Sequence, residues 1–429
     1  MLSAFVNAIK IPDLRGKILF TMAVIAIYRL GSFIPVPGAD YAAIRQFLDT
    51  AQNSSNEAYN LINLFSGGAL TQFAIFALGI MPYITSSIIM QLLQVVIPRL
   101  EQLRKEGETG QKKIQQYTRL VTVGLALLQS AGIITLASNR QLLQGVNIFP
   151  DLTPGKFALA LMTLTAGTAL IMWLGELITQ RGIGNGMSIL IFSSIVSQLP
   201  SQGGRILQER GGLIFGIICA LGLLIIVAVI TVEQAQRRIP VQYAKRMVGR
   251  RMFGGSSTYI PLKVNQAGVI PIIFASSLLY LPVLISSIVN RPWLTDMTAR
   301  FFSRGDHPVY LITYFVLIIA FAYFYNSIAF NPVDTADNMK KYGGFIPGIR
   351  PGRQTAEYLN HILTRITLPG ALFLSVIAIL PFLVQTAGNT SQQFPFGGTA
   401  ILITVGVGLE TMKQIESQLL MRNYEGFLR

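Results

Sequence analysis

Residues 79–87 read Gly-Ile-Met-Pro-Tyr-Ile-Thr-Ser-Ser, and residues 268–277 read Gly-Val-Ile-Pro-Ile-Ile-Phe-Ala-Ser-Ser. When the two stretches are aligned without gaps on their first glycines, both show the spacing Gly-x-x-Pro, and Pro82 falls opposite Pro271. Each stretch opens a long apolar segment. Self-similarity between distant parts of a chain is the signature of an internal repeat. The pair therefore predicts a molecule built from two related halves.

The composition around these stretches is that of a membrane protein. Apolar residues make up 52% of the 429 residues and charged residues 12%, about half the charged fraction of a soluble domain. Roughly 20 apolar residues in a helix cross a bilayer, and helices satisfy their own backbone groups in lipid. We therefore predict an all-α polytopic membrane protein with ten transmembrane helices. The predicted spans are 18–34, 73–97, 120–137, 157–178, 187–199, 213–232, 269–289, 309–329, 366–384 and 399–409.

The basic residues predict the orientation of these spans. Of 34 Lys and Arg residues, 25 lie in one set of connections and termini and 8 in the opposite set, with Arg29 inside the first span. Cytoplasmic loops carry the excess of Lys and Arg, so both termini are expected in the cytoplasm. No secretory signal peptide is expected, because the first sixteen residues lack a long apolar core.

The repeat and the orientation together predict inverted halves. The two matched segments are five spans apart, and so are the short spans 187–199 and 399–409; an offset of five reverses direction across the membrane. We predict an N-terminal half over 1–199, an external hinge loop over 200–212 and a C-terminal half over 213–429. Short or interrupted segments at matching positions indicate the functional centre of such folds.

That centre is predicted to be apolar. The ionisable candidates near the spans are Arg29, Glu176 and Glu410, fewer than a solute transporter or proton pump would need. Arg29 either snorkels outward or has a partner on another helix. The interrupted spans instead present aliphatic residues, which lie across a pore or, alternatively, face lipid and neighbouring helices. They are Ile80, Ile84, Ile191, Ile273, Leu278 and Ile403.

Residues 61–70 form an apolar, glycine-bearing piece of the outer loop 35–72. The piece is too short to span a membrane and too apolar for an ordinary solvated loop. We interpret it as a half-helix that re-enters a protein-lined cavity. An interfacial helix on the membrane surface is the alternative.

Long collinear motifs then carry a resemblance that runs from about residue 10 to the tail. They are NLFSGGALTQFAIFALGIMPYITSSIIMQLL at 63–93, MWLGELITQRGIGNGMSI at 172–189, VEQAQRRIPVQYAKR at 232–246, STYIPLKVNQAGVIPIIFASS at 257–277 and YGGFIPGIRPGRQTAEYL at 342–359. In these motifs the chain closely resembles the SecY family of bacterial protein-conducting channels. The resemblance implies an hourglass pore between two inverted five-helix halves, a plug and a lateral gate.

The resemblance also implies roles for particular residues. The pore ring would comprise the six aliphatic residues named above, although the family commonly has isoleucine where Leu278 stands. The plug would comprise Leu61, Ile62, Asn63, Leu64, Phe65, Ser66, Gly67, Gly68, Ala69 and Leu70. A polar cluster at the lateral gate would comprise Ser87, Gln129 and Asn265, for which ordinary helix packing is the alternative. Cytoplasmic docking would involve Arg237, Arg238, Lys245, Arg246, Arg250 and Arg251 in loop 233–265, and Arg350 and Arg353 in loop 330–365.

The expected function is passage of unfolded secretory polypeptides across the bacterial cytoplasmic membrane, with lateral release of hydrophobic segments. The implied partners are SecE, SecG, the motor ATPase SecA, the ribosome with its nascent chain, signal sequences and unfolded preproteins. The basic loops also suit anionic phospholipids and retention in the cytoplasm. No enzyme activity, cofactor or metal is expected: the chain has no GxxxxGK[ST] loop, one cysteine and two histidines. A secondary transporter of the same architecture is the competing interpretation, and an enzyme is a distant third.

Overall fold

The computed structural model describes residues 11–40, 44, 65–138, 148–149, 153–243, 246–248, 251–253, 257–289, 291–301, 307–387 and 398–426. Within these ranges the chain is mainly helical, with a few short strands. The helices are α1 (Pro12–Gly31), α2 (Met81–Val96), α3 (Pro98–Lys105), α4 (Glu108–Ser138), α5 (Pro154–Arg181), α6 (Gly186–Gln234), α7 (Ile270–Val289), α8 (Pro292–Phe301), α9 (Pro308–Ala329), α10 (Pro332–Lys341), α11 (Arg353–Ala387) and α12 (Gly398–Gly426). The strands are β1 (Gln236–Tyr243), β2 (Arg246–Val248), β3 (Arg251–Phe253), β4 (Ser257–Lys263) and β5 (Gly344–Phe345).

Each of the ten predicted spans overlaps one of these helices. Among the described residues, five helical stretches are long and apolar enough to cross a membrane, and α2 with α3, which meet at a bend of 99°, can count as a sixth. The remaining helices are shorter or less apolar than these. The chain is thus a multi-span membrane protein, as its composition predicts.

Two predicted boundaries differ from the structure. The second span was expected to be helical from residue 73, but residues 67–80 form turns and the helix begins at Met81. Glycines with positive φ at 67, 68 and 79 hold this stretch out of helical conformation. The hinge loop expected over 200–212 is mostly helical: α6 continues through Pro200, and only Gly211 (φ 81°, ψ 167°) breaks it. The two halves are therefore connected by a helix with a single break at Gly211, and not by an extended loop.

The two halves use the same order of helix contacts. In the first half α2 packs on α4, α4 on α5 and α5 on α6; in the second half α7 packs on α9, α9 on α11 and α11 on α12. The halves meet where α7 contacts both α2 and α4, and α12 contacts α6, the helix that runs from the first half into the second.

The loops 233–265 and 330–365 contain a sheet that the sequence reading did not anticipate. Strand β1 pairs antiparallel with β4, Ile239 opposite Ile260, and its end pairs with β5, Gln242 opposite Phe345. Ile239 and Val241 alternate with exposed residues and join a small hydrophobic core. The pairing of β1 with β5 makes the two loops one structural unit.

Candidate pore and gate

The two Gly-x-x-Pro stretches adopt the same local conformation. Gly79 and Gly268 have φ of 55° and 59°, in the left-handed region that glycine occupies without steric cost. Pro82 and Pro271 are each the second residue of the helix that follows. Proline suits the first helical turn because its missing N–H has no intrahelical partner there. A left-handed glycine followed by a proline therefore starts α2 and α7 alike.

Five isoleucines from the two halves lie in one buried cluster. Each exposes 9% or less of its surface, and the cluster draws on the start of α2, α6, α7 and α12. The members are Ile80, Ile84, Ile191, Ile273 and Ile403. Aliphatic side chains from four separated segments thus converge where the two halves meet.

Leu278 lies outside this cluster. It exposes 40% of its surface, whereas Ile273 on the same helix exposes 9%. Five residues along an α-helix turn the side chain by about 140°, because each residue contributes about 100°. The spacing therefore turns Leu278 to a different face of α7 from Ile273, and its place in the ring stays a prediction.

The described part of segment 61–70 contributes to the same buried cluster as the isoleucines; residues 61–64 are outside the described ranges. Phe65 and Ala69 belong to the same cluster and expose 1% or less of their surfaces. The turns that follow are joined to the end of α1, where the Ile75 amide donates to the Ile34 carbonyl at 2.9 Å. A short apolar segment is thus buried at the centre of the molecule.

The polar residues expected at the gate are not joined to one another by the contacts that the structure gives. Asn265 precedes α7 and donates through Nδ2 to Glu233 Oε1 at 2.6 Å and to the Gly268 carbonyl at 3.1 Å. Gln129 is buried on α4. Ser87 on α2 is half-buried and lines a groove of about 550 Å³ between α2, α3 and α4. Asn265 therefore supports its own helix start from within the second half.

A contact between the halves was missed by the sequence reading. On the helix α3, Arg104 Nη2 donates to the carbonyl of Ile328, in the last turn of α9, at 3.1 Å. Next to it, a hydrogen bond from Lys105, 2.7 Å away, lowers the pKa of Glu101. Last-turn carbonyls have no intrahelical partner, so an arginine is well suited to this position; only the excess of basic residues in 98–119 could have signalled it.

Of the three ionisable residues that the sequence singled out, two have hydrogen-bond partners and one is exposed to solvent or lipid. Glu176 accepts two hydrogen bonds from Arg119 of α4, at 2.6 and 2.7 Å. Glu410 is exposed on α12. Arg29 is half-buried and donates to the backbone carbonyl of Gly67 at 3.0 Å. The sequence predicted that Arg29 either snorkels outward or has a partner on another helix. The structure gives it a partner, which is a main-chain carbonyl.

The expected docking arginines lie partly within the described residues. Arg237 and Arg238 are exposed on β1, and the Arg238 guanidinium lies 4.8 Å from the centre of the Tyr259 ring. Arg350 is exposed between two left-handed glycines, Gly348 and Gly352. The backbones of 246 and 251 lie in β2 and β3, which pair with each other; Lys245 and Arg250 fall outside the described ranges.

Comparison with known proteins finds one family and one fold. The family model described as SecY matches residues 74–412. The "Protein translocase subunit SecY" of Mycobacterium bovis is 56% identical over 441 residues and that of Streptomyces galbus 57% over 439, with 100% of both chains covered in each case. Among solved structures, "The structure of a protein conducting channel" matches with a TM-score of 0.65 at 19% identity, covering 96% of each chain. "Sec61 in the Canine ribosome-channel complex from the endoplasmic reticulum" matches with a TM-score of 0.61 at 18% identity, again covering 96% of each chain.

Proposed function

Because this chain belongs to the SecY family, it is a protein-conducting channel for protein translocation and not an enzyme, and we propose that its five clustered isoleucines form the constriction through which polypeptide passes. It is a multi-pass membrane protein whose relatives are bacterial SecY subunits. We place it in the cytoplasmic membrane with both termini in the cytoplasm, as the distribution of Lys and Arg predicts.

The observation that carries this proposal is the convergence of aliphatic side chains from both halves. Ile80 and Ile84 come from one half, and Ile273 and Ile403 from the other, yet they pack in one cluster. A hydrophobic constriction excludes water and ions by dewetting. Because the ring is made of separate side chains on separate helices, it widens when the helices part and closes around a chain in transit.

The buried segment 65–70 supports a second seal, the plug. Phe65 and Ala69 are buried in the same hydrophobic cluster as the isoleucines. Displacing this segment removes apolar packing from the centre and opens a path for the substrate. The resting channel is thus closed twice, by the ring and by the plug resting on it.

The contact of α7 with α2 and α4 supports a lateral gate between the halves. Leu, Ile, Phe and Val each favour the centre of a membrane helix by about 0.3–0.6 kcal/mol, whereas Asp, Lys and Arg cost about 2.5–3.5 kcal/mol. A sideways opening therefore sorts segments by hydrophobicity and releases signal sequences and apolar segments into lipid. The inverted halves hinge at Gly211, where α6 breaks.

The sheet formed by β4, β1 and β5 supports a single docking platform for cytoplasmic partners. Arg237 and Arg238 on one loop and Arg350 and Arg353 on the other are exposed, and strand pairing holds both loops together. A platform rich in arginine is suited to an acidic protein surface or to ribosomal RNA. We assign SecA and the ribosome to this platform, with SecE and SecG as membrane partners and anionic phospholipids at the basic edges.

The test of the constriction is the double substitution Ile84→Asn with Ile403→Asn. Two amides in the ring allow water to wet it, so the resting conductance of full-length channels in planar bilayers should rise severalfold. The same change at two equally buried isoleucines outside the ring, Ile134→Asn with Ile318→Asn, is the control. It should lower stability without raising the conductance of the channels that remain assembled. Equal conductance for both double variants would refute the assignment.

A further inference from the structure

The first helix carries a charged side chain whose partner is the backbone of the plug segment. Arg29 Nη1 donates to the carbonyl oxygen of Gly67 at 3.0 Å, and its guanidinium lies 5.7 Å from the centre of the Phe33 ring. A charged donor makes a hydrogen bond about twice as strong as a neutral one. Arg29 is thereby tied to the plug.

Its neighbour in the chain reaches the adjacent carbonyl. Tyr28 is fully buried, and its hydroxyl lies 3.4 Å from the carbonyl oxygen of Ser66 and 2.7 Å from Ser194 Oγ on α6. The Tyr28 ring stacks on Phe76, with ring centres 5.6 Å apart. Two consecutive carbonyls, those of residues 66 and 67, therefore face two consecutive side chains of one helix.

Gly67 is the residue that permits this approach. Its φ is 67°, and a Cβ built on it would lie 2.6 Å from Arg29 Nη1 and 3.1 Å from Ser194 Cα. A side chain at this position would push the backbone away from both α1 and α6. The absence of a side chain brings the carbonyl within hydrogen-bonding distance of the guanidinium.

We propose that Arg29 and Tyr28 are positioning residues that latch the plug to α1 in the resting channel, an inference that rests on the proposed role of segment 61–70. The hydrogen bond from Arg29 to the Gly67 carbonyl is directional, so it fixes the angle of the plug on α1. Ser194 on α6 donates to the Leu190 carbonyl and therefore accepts the single proton of the Tyr28 hydroxyl, at 2.7 Å. Held in this way, the hydroxyl packs 3.4 Å from the Ser66 carbonyl oxygen and sets the depth of the plug. Opening the channel requires the Arg29 bond and this contact to be lost.

The test combines substitutions of the latch with a direct measure of plug position. Arg29→Met keeps a long unbranched side chain but removes the donor, and Arg29→Lys restores one donor. Tyr28→Phe removes the hydroxyl and retains the ring that stacks on Phe76. Ser32→Ala is the matched control, because this equally buried hydroxyl on the same helix segment donates to the Tyr28 carbonyl and not to the plug.

Plug position is read from the labelling of a cysteine placed at Ala69, in full-length protein with the natural Cys219 changed to serine. Ala69 is fully buried, as is Ala77, a reference site beyond the plug. A membrane-impermeant maleimide should label Ala69→Cys about tenfold faster in Arg29→Met, because losing a hydrogen bond from a charged group shifts an equilibrium by at least that factor. Tyr28→Phe should give a smaller increase and Arg29→Lys a rate near that of the parent. Labelling of Ala77→Cys should not change in any variant.

Resting ion conductance, with deletion of 61–70 as the reference, separates the latch from the plug. If the deletion and Arg29→Met both raise conductance and Ser32→Ala does not, the latch is supported. If the deletion raises conductance while Arg29→Met and Tyr28→Phe leave both conductance and labelling unchanged, the latch is wrong and the plug stands. If the deletion itself leaves conductance unchanged, the plug and the latch both fall.

Discussion

The starts of α2 and α7 share a sequence motif and a backbone conformation but differ in what surrounds them. A Cβ on Gly79 would lie 2.9 Å from Ser66 Cα and 3.0 Å from the Phe65 carbonyl oxygen, whereas a Cβ on Gly268 would have no atom within 4 Å. At the first start the plug segment packs on the glycine. At the second, Asn265 donates to the Gly268 carbonyl and to Glu233. The repeat supplies the helix start, and the two halves then use it differently.

The mechanism that we propose gives this difference a functional meaning. In that mechanism segment 61–70 leaves when the channel opens, and the close contacts at Gly79 are contacts with this segment. The second start is instead supported by Asn265, a side chain of its own half. An internal repeat thus gives two similar helix starts, and we infer that the contacts added to each copy assign the seal to the first half.

The largest effect is expected from breaking the seal at its glycine. Gly79→Ala and Gly268→Ala both place a side chain in the left-handed region, at a cost of roughly 1–2 kcal/mol each. Gly79→Ala also pushes against backbone atoms of the plug, which adds about 1–3 kcal/mol. We expect Gly79→Ala to lower the melting temperature in detergent more than Gly268→Ala and, alone of the two, to raise resting conductance. Equal losses of stability with no change in conductance would show that the plug contact has no energetic weight.

An intermediate effect is expected from the side-chain support of the second start. Asn265→Ala leaves the half-buried Glu233 without its amide donor, which costs about 1–3 kcal/mol of stability. Glu233→Gln should cost less, because its amide oxygen still accepts from Asn265. The double variant should be less destabilised than the sum of the single variants, as expected for residues in contact. The melting temperatures of the three proteins measure this, and strict additivity would argue against a shared bond.

The features of the two helix starts that could be predicted from the sequence are those set by neighbouring residues. Gly79 and Gly268 precede proline-bearing apolar runs, and each has the conformation that such a start requires. The convergence of Ile84 and Ile403 also follows from the spans that the repeat selects. Local propensity and hydrophobic length act over a few residues, so they can be read without knowing the fold.

What the sequence did not reveal depends on distant partners. Arg29 and Gly67 are 38 residues apart, and the sequence around either residue contains no motif that predicts the contact. Leu278 stays a predicted ring member whose spacing from Ile273 turns it to another face of α7. Strand β1 was missed: Ile239 and Val241 alternate with exposed residues, but Pro240 stands between them, and proline disfavours a strand because it cannot donate to the ladder. Pairing with β4 and β5 outweighed that preference.

The smallest effect is expected at the contact between α3 of the first half and α9 of the second. Arg104 on α3 donates to the Ile328 carbonyl at the end of α9, where a cation is also favoured by the helix dipole. Because the contact is exposed, it is worth about 0.3–1 kcal/mol.

Arg104→Ala should therefore make separation of the two halves easier. We expect export of a precursor with a weakened signal sequence to rise by a few-fold at most. Resting conductance should not increase, because the substitution does not touch the ring or the plug. Arg99→Ala, an exposed arginine on the same helix, removes the same charge from α3 and should leave export at the parent level. If the two variants export the weakened precursor equally, charge on α3 and not the bond to α9 controls opening, and the difference between the halves lies wholly at the two helix starts.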